Sequence, residues 1–450
     1  MSGSFFRMII DFVVKHTPES VRRNILRTCL YAVNSIRSTP GSYTYEVHQR
    51  MQMSNILPVN DEVETDNEVT MEGLSKESGK IKIRIVYPSG TAWNCIGTVY
   101  EELIKDDRYQ TVIITENYVP YINIMKEKKC SFIRLDRYDV KVDRPDILIL
   151  TSYSSTPPTL NFKGVKKYAG TILSLFPNVI INEFSIEKHW RYVRKAYEFC
   201  DPDYYLMDSL PYNYCDGYIE RKKAVHMGNP QFDELFFRLE NTVSDDPTWD
   251  KLNGKKVFLW ATDHGLNEYY PIDALSIDLY IGFLFKFFAE HPELGLIIRP
   301  HPFLIREMKQ SALFWNETDF ERIISYCKNS ANIVWDDTAD YCAAFKRCDA
   351  MLVDANCGFT ISFLATGKPV CRLLRGDMDV RLIHPELRGC YYYGRSSEEI
   401  KEFIQNVTDG RDPLCLSRLE TFHSSVMHFD GCNGRRIKVF IDRIAQMRRN

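Results

Sequence analysis

Ile81-Lys-Ile-Arg-Ile-Val-Tyr87 is a run of apolar residues interrupted only by Lys82 and Arg84, and it stops at Pro88-Ser89-Gly90. It reads as a buried strand closed by a turn. A helical stretch around Ile96 to Lys105 follows, then a second strand, Thr111-Val-Ile-Ile-Thr115. Next come a helix from Tyr118 to Glu127, the strand Cys130-Ser-Phe-Ile-Arg134, and Asp146-Ile-Leu-Ile-Leu-Thr151 between Pro145 and Pro157-Pro158. Short apolar strands alternating with helices of about 10–15 residues mean βαβ units and a parallel sheet. The alternation continues through Asn178-Val-Ile-Ile181, Tyr204-Tyr-Leu-Met207 and Ala224-Val-His226. Gly228-Asn-Pro230 then reads as an interdomain turn, and the polar stretch 241–254 as a hinge. A second set begins with Lys256-Val-Phe-Leu-Trp-Ala261 and the helix Asp278 to Phe288. It runs on through Leu294 to Ile298, Asn332-Ile-Val-Trp335, Ala350-Met-Leu-Val353 and Pro369-Val-Cys-Arg372. The expected fold is α/β, with two doubly wound, Rossmann-like parallel-sheet domains (81–240 and 255–395) facing a cleft. Helices over 396–450 close the chain.

Composition agrees with such a body. The 450 residues are 44% hydrophobic and 26% charged, and 57 Lys and Arg balance 60 Asp and Glu. A net charge of −3 argues against a nucleic-acid binder, which needs a basic excess. The 13 Cys are scattered with no CxxC pair, so neither a zinc site nor a disulfide framework is expected, and a reducing cytoplasm is. No run of about 18 apolar residues could span a membrane. The first fifteen residues make a poor signal peptide.

The first forty residues differ from the rest. Phe5, Phe6, Ile9, Ile10, Val13 and Val14 recur at helical spacing, and Val21 to Ile36 continues the pattern. Arg7, Lys15, Arg22, Arg23, Arg27 and Arg37 outnumber Asp11 and Glu19. Basic amphipathic helices over 1–40 suit peripheral contact with an anionic inner membrane face; the alternative is a helical hairpin packed on the main body. The C-terminal residues Arg435, Arg436, Lys438, Arg443, Arg448 and Arg449 add to that basic character. Between the helices and the first strand, 41–80 reads as a flexible acidic linker, with seven acids and one Lys from Asp61 to Glu77.

Three strand ends of the second set carry polar groups. In Leu296-Ile-Ile-Arg-Pro-His-Pro302, two prolines fix the backbone and aim His301 off the strand end, with Arg299 beside it. A guanidinium and an imidazole at a carboxyl edge suit a phosphate; a turn with His301 bonded to a carbonyl is the alternative. In Ala350-Met-Leu-Val-Asp-Ala-Asn-Cys-Gly358, the strand ends at Asp354 and small residues lead to Thr360 and Ser362 on a helix. Asp354, Asn356, Cys357, Gly358 and Thr360 are therefore read as donor phosphate- or nucleotide-binding; for Asp354 alone an N-cap is the alternative. Val257-Phe-Leu-Trp-Ala-Thr-Asp-His-Gly265 delivers Asp263 and His264 to a third end. Three coincident polar ends predict a catalytic cleft with His301, His264 and Asp263 as its chemical groups. On the acceptor side, His189 and Glu183 are candidate bases, with a surface or packing role as the alternative for His189. No DxD pair sits in a convincing loop, so neither a bound metal nor another cofactor is expected.

In their order, Trp260-Ala-Thr-Asp-His264, Arg299-Pro-His-Pro302, Asp340-Tyr341, Cys348-Asp349-Ala350, Asp354-Ala-Asn-Cys357 and Thr366-Gly-Lys-Pro369 resemble the CDP-glycerol glycerophosphotransferase family. These are the teichoic-acid and capsule polymerases with two facing domains of the GT-B type. The resemblance covers about 80–440 and is clearest from 256 to 372. It implies that His301 serves the donor phosphate with Arg299 beside it. The family's Asp followed by two Ser matches Asp354, with Asn356 and Cys357 in place of the hydroxyls, and Ile361 stands where an acid is expected. The implied activity is transfer of a polyol phosphate from a CDP-activated alcohol to a hydroxyl of a glycan or lipid-linked acceptor, at the cytoplasmic face of the membrane. A glycosyltransferase using a nucleotide-sugar donor, or a non-catalytic scaffold that keeps the fold, are the alternatives.

Overall fold

The structure, a computed structural model, describes residues 66–76, 79–87, 93–117, 119–151, 165–175, 202–207, 223–239, 241–242, 247–263, 275–301, 304, 317–338, 341–354, 359–374, 380 and 387–449. The expected helices over 1–40 and the linker to residue 65 lie outside these. So do His189, Glu183, His264, Asn356, Cys357 and Gly358.

Thirteen strands are described. They are β1 Ile81–Tyr87, β2 Tyr109–Thr115, β3 Phe132–Arg134, β4 Ile147–Leu150, β5 Thr171–Leu175, β6 Tyr204–Met207, β7 Ala224–His226, β8 Lys256–Thr262, β9 Leu294–Pro300, β10 Ile333–Trp335, β11 Ala350–Asp354, β12 Val370–Leu373 and β13 Tyr392–Gly394. The helices are α1 Met71–Lys76, α2 Gly97–Ile104, α3 Val119–Glu127, α4 Val140–Asp143, α5 Pro230–Arg238, α6 Ile277–Glu290, α7 Glu317–Asn329, α8 Cys342–Arg347, α9 Phe359–Leu364, α10 Ser397–Thr408, α11 Cys415–Ser425 and α12 Asn433–Arg449.

The strands form two sheets, ordered β3-β2-β1-β4-β5-β6-β7 and β10-β9-β8-β11-β12-β13, and every pairing is parallel. Each sheet is buried on both faces, which is why its strands read as continuous apolar runs. In β1, Ile83, Ile85 and Tyr87 join one core while Val86 joins the other. Arg84 points with Val86 and is fully buried. It donates to both oxygens of Asp143 (2.7 and 2.9 Å) and to Gln110 Oε1 (2.8 Å), so the charge is matched where water cannot reach it.

Two stretches read as spacers are packed instead. Within the expected linker, Val69 N–H donates to the Phe132 carbonyl at 2.8 Å, Leu74 is 2% exposed, and Glu68 meets Arg134 and Arg137 at 3.1 Å each. The acidity that suggests a solvated chain is here matched to basic residues at the edge of β3. Within the expected hinge, a 3₁₀ helix over Pro247–Leu252 buries Trp249 and Leu252 in the second core.

Among the described residues, the chain crosses between the domains twice. Gly228 adopts φ 80°, Asn229 caps α5 through its side chain on the Gln231 N–H at 2.9 Å, and Pro230 opens the helix. Phe232 and Leu235 of α5 then enter the second domain's core. The last helix, α12, returns and places Ile437, Ile441 and Ile444 in the first domain's core. Three of its six basic residues are engaged within the protein: Arg436 with Asp430, Lys438 with Asp106 and Asp442, and Arg448 with the Asp146 carbonyl. Among the described residues no helix is long and apolar enough to cross a membrane, and the nine described cysteines are all free.

Candidate functional site

The three polar strand ends lie side by side, because β9, β8 and β11 are consecutive in the second sheet. Thr262 of β8 pairs with Pro300 of β9, and Ala261 with Val353 of β11, so the strands finish level. Successive connections turn to opposite sides between β8 and β11, the switch point where open α/β sheets leave a crevice.

His301 is half-buried directly beyond β9. Its N–H donates to the Thr262 carbonyl at 3.0 Å, and its own carbonyl accepts from Leu304 N–H at 2.9 Å. Asp263 is buried, and its backbone N–H donates to Asp354 Oδ2 at 2.8 Å. The other Asp354 oxygen accepts from the Ser276 hydroxyl at the start of α6. Burial pushes the Asp354 carboxyl up to about 7; the bonds from Ser276 and Asp263 N–H oppose this, and the Asp263 charge adds to it. Thr262 Oγ1, also buried, has no hydrogen-bond partner among the described residues.

Other expected phosphate ligands are engaged elsewhere. Arg299 is 6% exposed, pairs with Asp336, and donates to the Thr338 carbonyl at 2.6 Å. Its guanidinium holds the loop leaving β10 rather than standing open at the strand end. Asp354 and Thr360 are fully buried. Thr360 Oγ1 accepts from Arg372 at 3.3 Å, and Arg372 lies 5.0 Å over the Tyr391 ring. Among the described residues, the bonds of Asp354 and Thr360 hold neighbouring elements of the second domain together. Lys368 of the Thr366-Gly-Lys-Pro369 turn closes the end of α8, donating to the carbonyls of Phe345, Lys346 and Cys348 at 2.8, 2.9 and 2.7 Å. Asp349 accepts from the Val257 N–H at 2.8 Å at the opposite edge of the sheet.

The loops leaving the carboxyl ends of both sheets meet. Asn94, just after β1, donates to the Tyr341 hydroxyl at 2.9 Å, and Gln231, just after β7, donates to Ser362 Oγ of α9 at 3.1 Å. These four residues join the cleft walls, yet as isolated Asn, Gln, Tyr and Ser they give no signal in one sequence. On the first-domain side, Tyr87 and Thr115 end neighbouring strands, and their buried hydroxyls have no partner among the described residues. Among the described residues no group of three His, Cys, Asp or Glu side chains is placed to hold a metal ion.

No protein-family model matches the sequence. No curated protein sequence matches it either. Solved structures do match. S. aureus MnaA with UDP aligns at a TM-score of 0.56 and 13% identity, over 79% of this chain and 94% of that one. The UDP-GlcNAc 2-epimerase from Neisseria meningitidis bound to UDP-GlcNAc aligns at 0.51 and 11%, over 81% and 100%. The wall teichoic acid polymerase TagF aligns at 0.54 and 12%, over 94% and 99%. The fold is of the GT-B type. At this identity the likeness extends to architecture: two parallel-sheet domains with the carboxyl edges of their sheets turned toward a common cleft.

Proposed function

We propose that the protein is a transferase that binds a nucleotide-activated donor on the second domain and moves a polyol phosphate from a CDP-alcohol to a hydroxyl of a glycan or lipid-linked acceptor. The observation that carries this reading is the level, adjacent ending of β8, β9 and β11, with half-buried His301 directly beyond β9 and bonded to the end of β8. The order of motifs shared with the CDP-glycerol glycerophosphotransferases supports the choice of donor.

In this reaction the acceptor oxygen attacks the β-phosphorus of the CDP-alcohol. A new P–O bond forms, the phosphoanhydride bond breaks, and CMP leaves with its electron pair. A base takes the hydroxyl proton, while fixed donors hold the charge that grows on the phosphate oxygens. His301 is assigned to the donor phosphate. Asp263, at the end of the adjacent strand β8, and its sequence neighbour His264 are assigned as the other chemical groups. No bound metal or other cofactor is required in this scheme. Residues 1–40 hold the enzyme at the inner membrane face, and deleting them is expected to reduce sedimentation with anionic liposomes; unchanged sedimentation would remove that part of the proposal.

Titration calorimetry with CDP-glycerol, CDP-ribitol, CMP and a panel of UDP- and GDP-sugars tests the donor. Binding of a CDP-alcohol that is lost in His301→Ala supports the reading. Preference for a nucleotide-sugar makes the protein a glycosyltransferase, and silence across the panel favours a scaffold. His301→Ala is expected to keep the fold, checked by circular dichroism, and to lower turnover at least ~10²-fold. Normal turnover in that variant would take His301 out of the mechanism.

A further inference from the structure

The peptide group between Thr262 and Asp263 is held from both sides. Its carbonyl accepts the His301 N–H at 3.0 Å. Its N–H, that of Asp263, donates to Asp354 Oδ2 at 2.8 Å. Asp354 is fully buried, and its second oxygen is taken by Ser276. One carboxylate thus joins the exit of β8, the start of α6 and, through a single peptide, the exit of β9. The sequence sharpens this. Pro300 and Pro302 have no N–H, so His301 supplies the one backbone donor between Arg299 and Phe303 by which the end of β9 can be fixed.

We propose that Asp354 is the positioning residue of the site, setting through the Thr262–Asp263 peptide the direction in which His301 leaves its strand. In its ionised form, which prevails above about pH 7, Asp354 accepts an N–H more strongly than a neutral group does, and it polarises the peptide whose carbonyl holds His301. The surroundings fix the carboxylate in turn. Asp263 faces it from the end of β8 and Ser276 from the start of α6. Arg372 of β12 donates to the Asp354 carbonyl at 3.5 Å and to Thr360 of α9 at 3.3 Å. Displacing a reacting group by about 1 Å can cost ~10² in rate, so the effect falls on turnover rather than on substrate affinity.

This inference rests on the reading of His301 as a catalytic group, and the experiment separates the two. Asp354→Asn keeps the shape: its carbonyl can accept the Asp263 N–H and its amide can donate to Ser276 Oγ. In the full-length variant, CMP release from CDP-glycerol is expected to fall about tenfold in kcat with KM within twofold. Amide hydrogen exchange is expected to rise about tenfold at His301 and Asp263, while β10 and the first sheet keep wild-type rates. Ser276→Ala, which frees one side of the carboxylate, is expected to give the same pattern more weakly, about threefold, and serves if the first variant does not fold. Wild-type exchange at His301 in folded variants would overturn the proposal. So would a rise spread evenly over both sheets, since that marks an ordinary contribution to stability. If the wild-type protein releases no CMP, the transfer reading fails, and the exchange pattern still decides whether Asp354 positions His301.

Discussion

Asp354 carries a consequence for stability that is independent of any substrate. It is fully buried beside a second acid, Asp263, and its folded-state carboxyl titrates near 7, against 3.8 for the ordinary side chain. The raised value means that between about pH 4 and pH 7 the folded protein binds a proton that the unfolded chain does not. Stability from this group therefore falls as pH rises through that window and is level above it. Asp354→Asn does not titrate, so it isolates the effect. Between pH 5 and pH 8 the wild-type protein should lose about 3 kcal/mol relative to Asp354→Asn, read from urea midpoints at the two pH values. Parallel pH dependence in the two proteins would show that the Asp354 carboxyl titrates in its ordinary range. At the same scale, His301 is half-buried and tied to β8 through its backbone N–H.

At the scale of the element, several resemblance-carrying residues turn out to finish strands and helices. The Lys368 ammonium donates to three carbonyls at the C-terminus of α8, where helix carbonyls lack partners of their own. Lys368→Met keeps the stem and removes the charge. It should destabilise the protein by about 2 kcal/mol in urea unfolding while leaving donor affinity unchanged. An equal loss of donor binding would return the Thr366-Gly-Lys-Pro369 turn to the site. The same distinction explains what the sequence made legible. Apolar runs such as Ile147–Leu150 and Leu294–Pro300 announce strands because both sheet faces are covered, and three polar strand ends can be placed by counting elements. Whether a polar residue at such an end faces the cleft or its own scaffold depends on partners remote in sequence. Arg299 finds Asp336 and Thr338, Asp354 finds Ser276, and Glu68 finds Arg134. Local composition gives no access to those pairings. For that reason Arg299 and Asp354 read as ligands, and the acidic stretch around Glu68 reads as linker.

At the scale of the whole molecule, the two domains are bound by the chain crossings rather than by a linker. α5 leaves the first sheet and buries Phe232 against Phe422 of α11, and α12 comes back to fill the first core. Both crossings pass one carboxylate. Asp233 of α5 is fully buried and accepts from the N–H groups of Asn433 and Gly434 at 2.8 and 2.7 Å and from Thr98 Oγ1 at 3.0 Å. It therefore supplies the N-terminus of α12 with a negative charge and two acceptor bonds from outside the helix. Nothing larger than glycine fits at 434: a Cβ there would lie 2.6 Å from the Thr98 backbone carbon. Asp233→Ala leaves two buried N–H groups and a hydroxyl without their acceptor, a cost of roughly 3 kcal/mol. The loss is placed where α12 enters the first domain, so it should fall on that domain first. Scanning calorimetry should show the wild-type endotherm split, with the lower transition belonging to the first sheet and the upper one near its original temperature. Asp233→Asn, which retains one acceptor oxygen, should fall between the two. A single endotherm moved down as a whole would mean that the interdomain bonds of Asn94 with Tyr341 and Gln231 with Ser362 suffice to keep the domains unfolding together.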